Sequence, residues 1–233
     1  MFGLLLVGCE PEAMNGFRQP VPDEPGETAS ECLSGMVRIG QMCIDRYEAG
    51  LVDHSPFEVP VSGVAVSEKG RTPQGYISGR VAESACVAAG KRLCTSDEWL
   101  AACRGSDNTL YPYGNTFDPT ACNVSRATHP IDSYWGDDPD RWSPEAMNDP
   151  GINQQADTVD PAGANPLCVT ADGVADMHGN LHEWVGDTSG VFRGGFYVDA
   201  VINGDGCTYR TTAHSFDYHD YSTGFRCCMD AQD

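Results

Sequence analysis

Apolar residues in this chain come in short runs, broken by glycine, proline and acidic residues, and never in long periodic stretches. Over residues 35–50 they alternate between Met36, Val37, Ile39, Met42 and Ile44 with glycine punctuation, a pattern that predicts two short strands. Over 80–89 the positions Val81, Ala85, Ala88 and Ala89 follow helical spacing, and Gly90 supplies a stop. Thr95-Ser96-Asp97-Glu98 has the form of a capping box, so a second helix should run through Trp99 and Leu100 to about Cys103. Beyond it, turns and loops dominate, with short strands expected near 191–198 and 224–228. There is no internal repeat and no heptad pattern. The fold class is α+β, one domain with little regular secondary structure and no doubly wound sheet.

The first eight residues are apolar and run straight into Cys9, and Leu6-Val7-Gly8-Cys9 resembles the lipobox of bacterial lipoproteins. That resemblance implies a signal peptide over 1–8 and acylation of Cys9. Acyl chains bury methylenes in a leaflet and would hold the protein on the bacterial cell envelope, at the outer membrane or cell surface. Residues 9–31 are rich in Pro, Glu and Gly with almost no core formers, as expected of an extended, solvated tether. The folded domain is then 32–233. No apolar run approaches the roughly 20 residues that span a bilayer.

Charge narrows the partners. The 233 residues carry 14 Lys and Arg against 34 Asp and Glu, a formal net charge of −20. A surface this acidic repels phosphate backbones and argues against nucleic acid as a partner. With Cys9 acylated, ten of the 11 cysteines remain, an even number that suits complete disulfide pairing in an exported chain. Zinc is the competing use, but no Cys-x-x-Cys pair occurs and the spacings suit separate elements. Cys32 and Cys43 would clamp the first hairpin.

Several short motifs occur in order along the chain: Gly90-Lys91-Arg92-Leu93, Glu98-Trp99, Ala102-Cys103-Arg104-Gly105, Tyr111-Pro112-Tyr113-Gly114 and Cys122-Asn123. Asp176-Met177-His178-Gly179-Asn180-Leu181-His182-Glu183-Trp184, Arg193-Gly194-Gly195 and Gly224-Phe225-Arg226-Cys227 follow. Together they resemble the sulfatase-modifying factor family, whose best-known member is the formylglycine-generating enzyme. The resemblance implies a single domain related to C-type lectin-like folds. It also implies disulfides Cys86–Cys227 and Cys103–Cys207. By extension the remaining pairs are Cys32–Cys43, Cys122–Cys168 and Cys94–Cys228.

The same resemblance implies calcium as the bound ion. One site would use Asp176, Gly179, Leu181 and Glu183, and a second would begin at Asn123 and Val124; hard oxygen ligands of this kind suit calcium. Copper(I) is another matter. Members that make formylglycine hold it through two thiolates after Arg-Gly-Gly, and here Asp199 stands at the first of those positions. Cys207 lies near the second but is claimed by a disulfide, which cannot act as a thiolate ligand. Phe196 replaces a serine and His182 a tryptophan of the family pattern. Formylglycine generation is therefore not expected.

The candidate cleft comprises His182, Tyr197, Asp199, Cys207, Arg210 and His214. His214, Asp217, His219 and Asp220 cluster in sequence and could serve a divergent metal-dependent oxidoreductase. The leading expectation is a ligand-binding or structural surface module. Its partner would be a protein, peptide or glycan engaged by loop aromatics such as Tyr134, Trp135, Trp142, Tyr209, Tyr218 and Tyr221.

Overall fold

The computed structural model describes residues 32–232. The expected signal peptide over 1–8, Cys9 and the expected tether over 9–31 lie outside the described residues. The hairpin read from the alternation is present: β1 (Met36–Ile39) and β2 (Met42–Asp45) pair antiparallel around Gly40. Helix α1 spans Gly79–Ala88, is capped by the Ser78 side chain on Val81 N, and buries Ala82, Ala85 and Cys86. After β5 (Arg92–Leu93) comes α2 (Ser96–Arg104), which carries the full capping box: Glu98 N donates to Thr95 Oγ1, and Thr95 N donates to the Glu98 carboxylate.

Between them lie the short strands β3 (Gly50–Leu51) and β4 (Ala65–Val66), which pair with each other. Two helices in the long loop region escaped the sequence pattern. They are α3 (Pro130–Trp135), capped by the His129 ring, and α4 (Pro144–Met147), capped by Ser143.

The second half builds a sheet in the order β8 (Arg210–Thr211), β7 (Phe192–Arg193), β6 (His182–Trp184), β9 (Thr223–Phe225). The strand expected over 191–198 stops after Arg193, because Gly194 and Gly195 both take positive φ and turn the backbone away. The strand expected over 224–228 divides at Arg226. β9 runs parallel to β6, whereas β10 (Cys227–Asp230) joins the other sheet, order β1-β2-β10-β5. Arg226 is thus the joint between the two sheets.

Five disulfides tie these elements together: Cys32–Cys43, Cys86–Cys227, Cys94–Cys228, Cys103–Cys207 and Cys122–Cys168. Adjacent cysteines on a strand face opposite ways. Cys227 therefore bonds into the core that holds α1, Trp184 and Phe225, while Cys228 bonds into the core around Trp99, Val174 and Val185.

Candidate functional site

The sheet joint is charged. Arg226 is fully buried and donates twice to Glu183, from Nε to Oε2 at 2.7 Å and from Nη2 to Oε1 at 2.6 Å. Trp99 Nε1 also donates to Glu183 Oε2 at 2.6 Å, so both carboxylate oxygens are taken. The other Arg226 donors reach the carbonyls of Asp45 and Ala175. Two further buried carboxylates face this pair. Glu48 accepts from Asn180 Nδ2 and Leu181 N, and Asp176 accepts from Gly163 N at 2.6 Å. Three carboxylates therefore share one guanidinium. Burial, then the charges of Asp176 and Glu183, pushes Glu48 well above the usual carboxylate range, and burial lifts Asp176 to about 6. Burial opposes charge on Arg226 as well, but Glu183, Glu48 and Asp176 outweigh it and hold the proton on.

This geometry bears on the expected calcium set. Glu183 accepts three short hydrogen bonds from Arg226 and Trp99, which occupy three of the roughly four acceptor positions of a carboxylate. Asp176 keeps one carboxylate oxygen without a hydrogen-bond partner, in a region with more negative than positive charge. Gly179, beside it, has φ +85°, and a Cβ there would fall 2.0 Å from the Asn123 carbonyl, so only glycine fits. That carbonyl accepts from Asn180 N, and Asn123 Nδ2 donates to Thr158 O and Asn180 Oδ1. The two expected sites are therefore joined through Asn123 and Asn180. No cluster of three or more His, Cys, Asp or Glu among the described residues is arranged to hold a metal.

Around His182 a second environment forms, and it is aromatic. The ring lies flat on Phe192 (centroids 5.2 Å, planes 17° apart) and within 4.8 Å of Phe196 and 5.6 Å of Tyr209. Its Nδ1 is buried without a hydrogen-bond partner, and burial lowers its pKa to about 3. Asp199 folds onto its own loop: Oδ1 accepts from the N–H groups of Val201 and Ile202, both at 2.9 Å, and Oδ2 accepts from Tyr209 Oη at 3.2 Å. His214 lies near this group, stacked on Tyr218 at 3.7 Å.

The remaining residues of the expected cleft have other partners. Tyr197 is buried, packs edge-on against Phe196 and donates to Asn153 Oδ1 at 2.7 Å. Cys207 is fully buried and bonded to Cys103. Arg210 is exposed on β8. Of the six, His182 and Asp199 are joined through Tyr209, which packs on the His182 ring and donates to Asp199 Oδ2. The His/Asp cluster of the last loop also disperses: Asp217 pairs with exposed Arg80, His219 contacts Asn148, and Asp220 accepts from Ser222 and Tyr218. Among the loop aromatics, Tyr134 and Trp142 stay exposed, whereas Tyr209 and Tyr221 are buried.

Residues 44–231 match the sulfatase-modifying factor enzyme 1-like domain, four-fifths of the chain. The chain belongs to the sulfatase-modifying factor family. Among named relatives, it is 27% identical over 180 residues to mouse "Inactive C-alpha-formylglycine-generating enzyme 2", covering 72% of this chain and 53% of the relative. It is 26% identical over 201 residues to the "Formylglycine-generating enzyme" of Thermomonospora curvata, covering 72% of this chain and 59% of the relative. The chain thus spans little more than half the length of these relatives. Among solved structures, PvdO from Pseudomonas aeruginosa superposes with TM-score 0.51 at 16% identity, covering 81% of this chain and 80% of that one. CarF superposes with TM-score 0.53 at 17% identity, over 82% and 87%. These likenesses fix the fold of the family member as formylglycine-generating-enzyme-like, related to C-type lectin-like domains.

Sequence reasoning had already quoted Arg226, Glu183 and Asp176 within motifs. It missed Glu48, which no local pattern marks.

Proposed function

We propose that this sulfatase-modifying factor domain is a ligand-binding or structural module, held on the bacterial cell envelope by an acylated Cys9, and that it does not generate formylglycine. The observation that carries the reading is Cys207: its sulfur is bonded to Cys103 and fully buried, so it is not available as a thiolate for a soft metal. Asp199 supports it, since a carboxylate tied to two backbone N–H groups of its own loop supplies neither the softness nor the freedom that copper(I) requires. The rings of Phe192, Phe196 and Tyr209 around His182 make that environment aromatic rather than metal-ligating.

Calcium belongs to the same reading, with Asp176, Gly179, Leu181 and the one acceptor position of Glu183 still open as one set of ligands, and Asn123 and Val124 as the start of a second. The excess of buried carboxylate over Arg226 supports a cation there, and calcium would supply structural charge balance.

The test is metal analysis of the oxidised protein, combined with turnover of a cysteine-containing sulfatase-type peptide in the presence of copper and oxygen. No copper retained and no aldehyde formed is the expected result. Stoichiometric copper or iron with aldehyde product would overturn the reading in favour of a divergent metal-dependent oxidoreductase.

A further inference from the structure

Most basic side chains among the described residues are answered, and Lys69 and Arg210, which are not, are exposed. Arg71, Arg80, Lys91, Arg92, Arg141 and Arg226 each meet a carboxylate. Arg46 and Arg126 donate to carbonyls, and Arg193 donates to Ser96. Arg104, the last residue of α2, is different. Its Nε is buried with no acceptor, and its guanidinium makes no ion pair or hydrogen bond with any described residue. The donors that can meet a ligand are therefore those at the outer end of the guanidinium, not the enclosed Nε.

Arg104 lines a concavity of about 580 Å³ between the end of β1 and the outer face of α2. Ile39 and Leu100 supply apolar wall continuous with the core, and Ala101 is exposed beside them. Arg38, Asp97 and Asp172 also border it; Arg38 Nε donates to Gly40 O, and Asp172 Oδ2 is held by Ser106 N at 2.6 Å and does not reach Arg104. The two arginines and two aspartates balance, so a singly charged group is favoured over a dianion such as phosphate. One unpartnered guanidinium matches one carboxylate, because its planar fork accepts that group in two parallel hydrogen bonds. The concavity is several times larger than a lone small acid, within the ordinary range of ligand pockets.

We propose that this concavity binds the C-terminus of a peptide, with the terminal carboxylate on Arg104 and an apolar last side chain against Ile39 and Leu100. The site is separate from the residues around His182 and stands whether or not the domain retains chemistry there.

The experiment is calorimetric titration of the intact, oxidised protein with acetyl-Gly-Val-Leu as the free acid, as its C-terminal amide, and with hexanoate. The free acid should bind at least tenfold tighter than both the amide and hexanoate. Arg104→Gln should abolish that preference while leaving the melting temperature unchanged, since Arg104 holds no partner in the fold. Ala101→Trp, at an exposed position on the rim, should block binding by occlusion and gives a second route should Arg104→Gln lower stability. Equal affinity for acid and amide, no binding of the free acid, hexanoate binding as tightly as the peptide, or binding that survives both substitutions would each overturn the proposal.

Discussion

His182→Phe should stabilise the protein, and the gain should grow as the solution is acidified. In the native fold His182 is neutral: burial lowers its pKa from 6.5 to about 3. The unfolded chain protonates at its ordinary value, so stability is lost as pH falls below 6.5 and goes on being lost down to about 3. Between pH 7 and pH 5 that is roughly 1.5 pH units at 1.36 kcal/mol each, or about 2 kcal/mol. Phenylalanine keeps the stack on Phe192 and the contacts to Phe196 and Tyr209, and it removes the buried Nδ1 that has no partner. An unsatisfied buried polar atom costs about 1–3 kcal/mol, so the variant should already be at least as stable at pH 7.

The assay is guanidinium denaturation with the disulfides intact, followed by tryptophan fluorescence, for both proteins at pH 7 and pH 5. His129, His178 and His214 are also lowered by burial, but they are common to both proteins and cancel in the difference. A stability gap that is the same at both pH values would refute the assignment of His182 as a neutral, buried imidazole.

Other expectations follow from the joint and the staples. Asp176→Asn should stabilise the protein near pH 7 and lose that advantage as pH falls from about 6 towards 4, because a carboxylate whose folded pKa is raised costs stability only while ionised. The same denaturation series measures it, and added calcium should raise the melting temperature of the parent but not of this variant. Arg226→Met should be strongly destabilising, by about 3–5 kcal/mol, since it strands Glu183 and leaves Glu48 and Asp176 with no countercharge; refolding yield and thermal melting report it. Removing Cys103 and Cys207 together should cost on the order of 4–5 kcal/mol, as their bridge closes a separation of 104 residues, and non-reducing melts would show it.

How much was legible depends on how far apart the interacting residues lie in the chain. The capping box at Thr95 and Glu98 is an interaction three residues long, and the hairpin around Gly40 is hardly longer, so composition and spacing reveal both. α3 and α4 were missed, although Ser143-Pro144-Glu145 carries a capping serine and a proline at the first helical position. α4 is a single turn and buries no residue, so no apolar period marks it. The Arg226 joint depends on Glu48 and Glu183, which lie 178 and 43 positions away, and no local pattern links them. The candidate cleft shows the same limit. Asp199 and Cys207 could be placed by motif, but that Phe196 and Tyr209 pack on the His182 ring is a matter of packing, which spacing does not carry.

The crosslinks also set how the chain carries tension. From Cys32 the covalent path passes directly to Cys43, follows the backbone to Cys86, and crosses to Cys227. Only the 43 peptide steps from Cys43 to Cys86 can be drawn out along that route, a contour of roughly 150 Å at about 3.4 Å per residue. A load applied between Cys32 and the last strand would first fall on the β2–β10 ladder and, once that gave way, on that one segment. The 140 residues from 87 to 226 would hang from it as slack, able to lose their fold without lengthening the molecule.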